Sequence, residues 1–276
     1  MENTITFLGT AGARIMVSNQ IQASGGLWLH LHGSEILLDP GPGSIVQSTK
    51  RKLRADKLEA IILSHRHLDH SGDINIMVEA MTQGGFEPRG RVFAPADALG
   101  REPVIFSYLI DYLDSLEILK EGQSYKINDI SFSTPVKHKH SVETYGLRFQ
   151  FGERSFSYIA DSRYFDGLID NYKTELIILN VVFMQPKDGI LHLSIKDAEF
   201  IIKGIKPKAA VLNHYGMSLW RAHPWEVAEQ LTQKTGIKVI AARDGMVLDL
   251  DTLETQAHKS TSNPEIPTPG DIERTP

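Results

Sequence analysis

The densest chemistry in the sequence lies in Ser64-His65-Arg66-His67-Leu68-Asp69-His70-Ser71-Gly72-Asp73, directly after the apolar run Ala60-Ile61-Ile62-Leu63. A β-branched run that stops abruptly at histidines and a carboxylate reads as a buried strand delivering its C-terminal end to a metal. His65 and His67 stand two apart, and alternate residues of an extended segment point the same way, so this pair converges on one ion. Asp69 and His70 lie past the turn, where they serve a second. The pattern predicts two metals.

With no cysteine in the chain, disulfides and thiolate ligands are excluded, so any metal is held by His and carboxylate. Such donors accept zinc, manganese or iron, with zinc the first expectation. An apolar fraction of 41% over 276 residues suffices for a full core. Lys+Arg 29 against Asp+Glu 34 gives a net charge of -5, which excludes a global basic field for nucleic acid but allows a local patch. The N-terminus Met1-Glu2-Asn3-Thr4 lacks a basic leader and no apolar run approaches a bilayer-spanning length, so the expectation is cytoplasmic with no membrane partner.

Several elements must carry the loop. Ile5-Thr6-Phe7-Leu8 reads as a strand closed by Gly9-Thr10-Ala11-Gly12, a turn of small residues; no Lys-Ser/Thr and no helix pattern follow to make it a phosphate loop. Leu27 to His32 alternates, with His30 and His32 on a polar strand face. Ile36-Leu37-Leu38-Asp39 is a strand, and Asp39 begins the sharp turn Asp39-Pro40-Gly41-Pro42-Gly43. Ser44 to about Arg54 reads as a helix with Ser44 as its cap, and its cluster Lys50, Arg51, Lys52 and Arg54 reads as a solvated face before a phosphate patch. Ile74, Met77, Val78 and Met81 mark the buried face of a helix that Gly84-Gly85 ends.

Val104 to Leu119 reads as a helix whose Phe106, Tyr108 and Tyr112 are packing residues, in a segment able to cover the metal site. Gly152-Glu153 joins a strand hairpin, Glu175 to Phe183 is a strand buried on both faces, and Ser194 and Pro224 open amphipathic helices. Strands with intervening helices argue for layered α/β packing over residues 1–252, with 253–276 a disordered Ser/Thr/Pro-rich tail. His140, Asp161 and His214 stand where further strands end in a ligand-type residue.

The spacing His-x-His-x-Asp-His in His65 to His70 resembles the signature of the metallo-β-lactamase superfamily, and the resemblance covers Ile5 to about Leu250. It implies a four-layer α/β/β/α sandwich with a dinuclear site at one edge of the two sheets. It also implies His65, His67 and His140 on one ion and Asp69, His70 and His214 on the other, with Asp161 bridging. Thr6-Phe7-Leu8-Gly9-Thr10, Leu37-Leu38-Asp39-Pro40-Gly41-Pro42-Gly43, Tyr145-Gly146, Tyr158-Ile159-Ala160-Asp161 and His192-Leu193-Ser194 are similar to the ribonuclease Z and phosphodiesterase branch. That likeness implies His192 as proton donor to the leaving oxygen, Asp39 as structural, and His140 before His138 as ligand.

Two departures shape the expectation. The branch carries a long substrate-gripping arm between the positions matching His140 and Asp161, where this chain has only a short hairpin. Thr134-Pro135-Val136-Lys137-His138-Lys139-His140 also differs from the Thr-Pro-Gly-His run of the glyoxalase II branch, which disfavours thiolester hydrolysis. Two divalent ions lower the pKa of a water between them and clamp a phosphoryl group, Asp69 orients that water, and His192 serves a poor leaving group as acid. The expected function is hydrolysis of a small or cyclic phosphodiester or a short nucleic acid by catalytic Asp69 and His192. A lactone or thiolester hydrolase of the same fold is the alternative, and a binding protein on a borrowed scaffold ranks last. A homodimer is compatible with the sequence.

Overall fold

The computed structural model describes residues 3–257. In chain order the strands are β1 (Thr4–Phe7), β2 (Leu27–Leu31), β3 (Ser34–Leu38), β4 (Leu58–Ile62), β5 (Arg91–Ala94), β6 (Ser115–Ile118), β7 (Gln123–Ile127) and β8 (Ile130–Thr134). They continue as β9 (Leu147–Phe151), β10 (Arg154–Ile159), β11 (Leu176–Phe183), β12 (Leu193–Ser194), β13 (Ala209–Asn213), β14 (Lys238–Ala241), β15 (Met246–Asp249) and β16 (Thr255–Ala257). One sheet runs β16-β15-β1-β2-β3-β4-β5-β6 and the other β14-β13-β11-β10-β9-β8-β7, with β12 paired to β11.

Alternation along the strands explains the layering. Ile36 and Leu38 of β3 and Phe149 and Phe151 of β9 join a core between the sheets, while Leu37 of β3 faces the other way. On the outer side of the first sheet, Leu37, Ile61 and Val92 pack with Ile74, Met77, Val78 and Met81, the buried stripe of helix α4 (Ile74–Met81), which follows α1 (Ala13–Ser18), α2 (Ser44–Lys50) and α3 (Leu68–Ser71). After the one-turn α5 (Ser107–Ile110) come α6 (Gly167–Asn171), α7 (Ile195–Ile205), α8 (Met217–Arg221) and α9 (Pro224–Thr235). On the second sheet's outer side, Ile177, Leu179 and Leu212 pack against Ala198, Ile201 and Ile202 of α7 and Val227 and Leu231 of α9. The result is the expected α/β/β/α sandwich, with β11 buried along almost its whole length as predicted.

Each sheet changes from antiparallel to parallel part-way across. β3, β4 and β5 run parallel in one sheet, and β10, β11 and β13 in the other. Ligands of α/β sheets gather outside the carboxyl ends of parallel strands. Asp39 follows β3, Ser64 and His65 follow β4, Asp161 follows β10 and His214 follows β13. A capping box at Ser194, with Asp197 Oδ2 accepting from the Ser194 N–H at 2.8 Å, fixes the start of α7 immediately after His192.

The structure corrects five local expectations. The Val104–Leu119 segment holds only the one turn of α5 and then β6, because β6 completes a parallel pair with β5; Phe106 and Tyr108 are half exposed rather than packed. Helix α1 opens directly after Gly12, so a helix does follow the glycine loop. Helix α2 stops at Lys50, and Ser44 is its first helical residue, bonding the Gly25 and Gly41 carbonyls instead of capping. His32 lies beyond β2 in the turn, against the edge of Phe151. Finally, Thr255–Ala257 adds strand β16 to β15, so the ordered chain passes residue 252; the rest of the expected tail lies outside the described residues.

Candidate metal centre

Asp39 is the floor of the site. It sits in left-handed backbone (φ 53°) at the end of β3 and is 3% exposed. Its Oδ1 accepts the Ser64 N–H at 2.6 Å, and its Oδ2 accepts the Ser64 hydroxyl at 2.7 Å, the Tyr158 hydroxyl at 2.8 Å and His70 Nδ1 at 2.9 Å. Four donors on one buried carboxylate make a rigid, charge-assisted anchor. They also decide where protons sit on the neighbouring rings. Because His70 Nδ1 donates to Asp39, its Nε2 is left to face the site. The Ser64 hydroxyl spends its proton on Asp39, so at 3.0 Å it accepts from His65 Nδ1 and leaves His65 Nε2 free. His140 Nδ1 donates to the Leu191 carbonyl at 2.9 Å, freeing its Nε2 in the same way.

Two groups of ligating atoms result. In the first, His65, His67 and His140 stand with ring centroids 4.8 to 5.1 Å apart and planes nearly perpendicular. His140 Nε2 approaches His67 Nδ1 at 3.0 Å, and His65 Nε2 is buried without a hydrogen-bond partner. In the second group, Asp69, His70, Asp161 and His214 converge. His214 Nε2 lies 2.9 Å from His70 Nε2 and 3.3 Å from Asp69 Oδ2, and His70 Nε2 lies 3.6 Å from Asp161 Oδ2. Asp161 Oδ2 is also 3.9 Å from His65 Nε2, so this carboxylate stands between the groups. Its Oδ1 accepts from Asn180 at 3.0 Å.

An orphaned buried imidazole nitrogen costs free energy unless something meets it. A divalent cation meets it, and imidazole with carboxylate is a donor set such ions accept. The residues present therefore fit a metal. Charge is arranged to suit: burial, then the neighbouring His70, holds His65 well below the usual histidine range, and burial brings His67 to about 4. His70 moves the opposite way. Burial pushes it down, yet Asp161, Asp39 and Asp69 together carry it well above the usual range. Burial raises Asp69 and Asp161, but the surrounding histidines prevail and hold both below the ordinary carboxylate range.

Every residue predicted for the site is brought to this edge, including His192, whose Nδ1 lies 3.3 Å from Asp161 Oδ2 and whose ring is 5.1 Å from that of His140. His192 also stands within ligating reach of His140 and Asp161 and keeps 20% of its side chain exposed. His138 turns away. Its Nε2 meets the Tyr172 hydroxyl at 2.9 Å and its Nδ1 lies 3.4 Å from the Asp161 carbonyl, on the backbone side of that residue. Glycine permits the closest approaches: a Cβ on Gly12 would lie 2.2 Å from His214 Nδ1, and one on Gly41 would lie 2.1 Å from the Asp69 carbonyl oxygen.

Sequence reasoning missed a buttress outside the histidines. Arg66, lodged between two ligating histidines, places its Nε 3.3 Å from Asp97 Oδ2. Asp97 Oδ2 accepts the Glu143 N–H at 3.0 Å, Glu143 Oε1 accepts the Tyr145 hydroxyl at 2.7 Å, and the Tyr145 N–H donates to the Ser64 carbonyl at 3.1 Å. The circuit ties the His65–His67 segment to the segment bearing His140. Arg66 stands inside the histidine motif itself, whereas Asp97 lies in a separate segment before α5 with no ligand-type pattern around it.

Comparison with known proteins agrees with this architecture. The chain is 31% identical to protein MJ1374 of Methanocaldococcus jannaschii over 261 residues, covering 91% of this chain and 96% of that one. It superposes on the metallo-beta-lactamase fold protein YhfI of Bacillus subtilis with a TM-score of 0.75 at 22% identity, over 89% of this chain and 98% of that one. On human tRNase Z, short form, the TM-score is 0.63 at 17% identity, over 90% and 99% of the two chains. No helix among the described residues is long and apolar enough to cross a membrane. Residues 34–215, from β3 through His214, match the family described as the beta-lactamase superfamily domain, and the chain belongs to that superfamily as one of its metallo-hydrolases.

Proposed function

We propose that this metallo-hydrolase cleaves phosphodiesters, with two divalent ions, zinc foremost, held by His65, His67 and His140 and by Asp69, His70 and His214, and with Asp161 between them. Two such ions supply a lowered water pKa and an electrostatic clamp on the phosphoryl oxygens. Asp69, still 17% exposed, accepts a proton from the attacking water and orients it. His192 holds its Nδ1 toward Asp161, and in its doubly protonated form, which burial opposes and that carboxylate favours, its Nε2 donates a proton to the departing oxygen.

The observation that carries this reading is His192: a part-exposed imidazole at the mouth, steered by the bridging carboxylate, beyond the donors that complete both groups. An alkoxide is a poor leaving group and needs such an acid, whereas attack on a lactone or thiolester needs it far less. Exposed cations at Lys139 and Arg163 flank His140 and Asp161, with the Arg163 N–H bonded to the Lys139 carbonyl at 3.0 Å, and they suit an anionic substrate. Only the Gly152-Glu153 turn joins β9 to β10, so no substrate-gripping arm is inserted there, which suits a small or cyclic diester or the end of an RNA strand.

The test is hydrolysis of bis(p-nitrophenyl) phosphate by metal-loaded protein beside a thiolester and a lactone, each with a chelator control. Metal-dependent cleavage of the diester is expected. His192→Ala should retain its metal and lose about 10²–10⁴-fold in turnover of a diester with an alkyl leaving group, with a smaller loss for nitrophenolate. Full turnover of the alkyl diester by that variant, or cleavage of the carbonyl substrates alone, would overturn the reading.

A further inference from the structure

The basic cluster at the end of α2 does not face solvent alone. Lys50 and Arg51 line a groove of about 860 Å³ beside α9, β14 and β15, together with Arg243, Trp225, Gln47 and Gln256. None of its lining residues belongs to the metal-ligating groups. Arg54, by contrast, is paired with Asp56 and lies outside the groove.

The groove's charge is available. Among the described residues, Lys50, Arg51 and Arg243 form no ion pair. Arg51 spends one nitrogen on the Gln47 carbonyl and side-chain oxygen at 3.0 and 2.6 Å, while its Nε is buried and has no partner. Two carboxylates line the groove, Glu229 and an Asp244 that accepts from the Thr10 N–H and hydroxyl and from the Ala23 N–H, so three cations face two carboxylates and the lining is net positive. In a chain of net charge -5, this concentration of unpaired cations is a local inversion of the background field.

An aromatic plate adjoins the cations. Trp225 is 42% exposed, yet its indole is held by Trp220 edge-on at 6.0 Å and by the His223 ring at 5.1 Å. The Arg243 guanidinium lies 5.8 Å from its centre. A fixed, exposed indole beside guanidinium and ammonium groups suits a ligand that carries both a flat π-face and a phosphate. The cavity also has the size of a small-molecule site.

We infer that this groove is a nucleotide-binding site, with the base stacked on Trp225 and the phosphate met by Lys50, Arg51 and Arg243. The nucleotide is either free or one residue of an RNA strand. Neither source requires the phosphodiesterase reading to hold, because the site is separate from the metal centre.

The test uses metal-loaded full-length chain titrated with AMP, adenosine, inorganic phosphate and a 2′-O-methyl oligoadenylate, read by calorimetry and tryptophan fluorescence. AMP should saturate and bind at least tenfold more tightly than adenosine or phosphate. Trp225→Ala and the pair Lys50→Glu with Arg243→Glu should each weaken AMP at least tenfold. Trp225→Phe should retain most of the affinity, and all variants should keep wild-type melting and wild-type metal content. Tighter binding of the oligomer assigns the groove to a strand, and equal binding assigns it to a free nucleotide. Failure of AMP to saturate, AMP binding that survives both variants, or binding that appears only after removal of residues 258–276 would overturn the proposal.

Discussion

In the three-histidine group, His65 is fully buried and its nearest carboxylate oxygen, on Asp161, stands 3.9 Å away; in the mixed group, His70 is equally buried but faces Asp39, Asp69 and Asp161. In the first, burial keeps His65 and His67 neutral, and His65 and His140 are aimed by hydrogen bonds from behind. The second is an arrangement of opposed charges in which a proton on His70 occupies the place a cation would take. A metal binding to the first competes chiefly with cavity and strain, whereas a metal binding to the second displaces protons and is the more sensitive to acid. Supports differ correspondingly. Asp39 and Asn180 hold the mixed group from within the sheets, and the Arg66–Asp97–Glu143 circuit holds the three-histidine group from outside.

Because Asp161 lies within 4 Å of histidines of both groups, its replacement should have the largest effect. Asp161→Ala is expected to reduce activity by more than about 10³-fold and to lower bound metal at both groups, measured by elemental analysis of purified protein. Retention of a full metal complement would show that the carboxylate is not shared.

The comparison sharpens with a pair of variants, one at the carboxylate that meets His70 directly and reaches His65 only through Ser64, the other in the outer circuit. Asn tolerates left-handed backbone, so Asp39→Asn should keep the turn while offering His70 and Tyr158 a poorer acceptor. We expect it to weaken metal affinity of the mixed group by about 10–100-fold. Arg66→Ala should cost the three-histidine group a smaller factor, nearer tenfold, and leave the mixed group unchanged. Competition titrations with a chromophoric chelator would resolve the two affinities. Loss from the same group in both variants would erase the distinction drawn above.

The smallest expected effect concerns His138. Burial brings its pKa to about 4, from an ordinary 6.5. The unfolded chain therefore binds this proton first as pH falls, and stability is complete above about 6.5 and lost progressively toward 4. The difference corresponds to about 3 kcal/mol at most. Denaturant unfolding of chelator-treated protein at pH 7.5 and 5 should show a shallower pH dependence for His138→Gln than for wild type, and identical slopes would refute this placement.

Much of this molecule was readable because its ligands are consecutive with strands. His65, His67, Asp69 and His70 share one loop, and Asp161 and His214 each follow an apolar run whose burial is set by composition. His140 was preferred to His138 only through the family likeness, since both follow β8 in an irregular segment; hydrogen bonding to Tyr172 and Leu191 separates them physically. The Val104–Leu119 segment misled because aromatic and apolar residues without clear period fit a helix as well as a strand. There the parallel partner β5, remote in pairing logic from local propensity, decided for β6. The Asp97 buttress was invisible for a related reason: its meaning depends on a partner 31 residues earlier, and single-residue identity carries no trace of that contact.

The hydrogen bond from His140 to the Leu191 carbonyl has a mechanical consequence. Residues 185–190 form an exposed segment, Leu191 aims a ligating histidine, and His192 is the next residue along. Displacement of this segment is thus transmitted along one peptide to the His140 and His192 rings together. In a cobalt-substituted protein, occupancy of the entrance would register as a change of colour before any bond is cleaved.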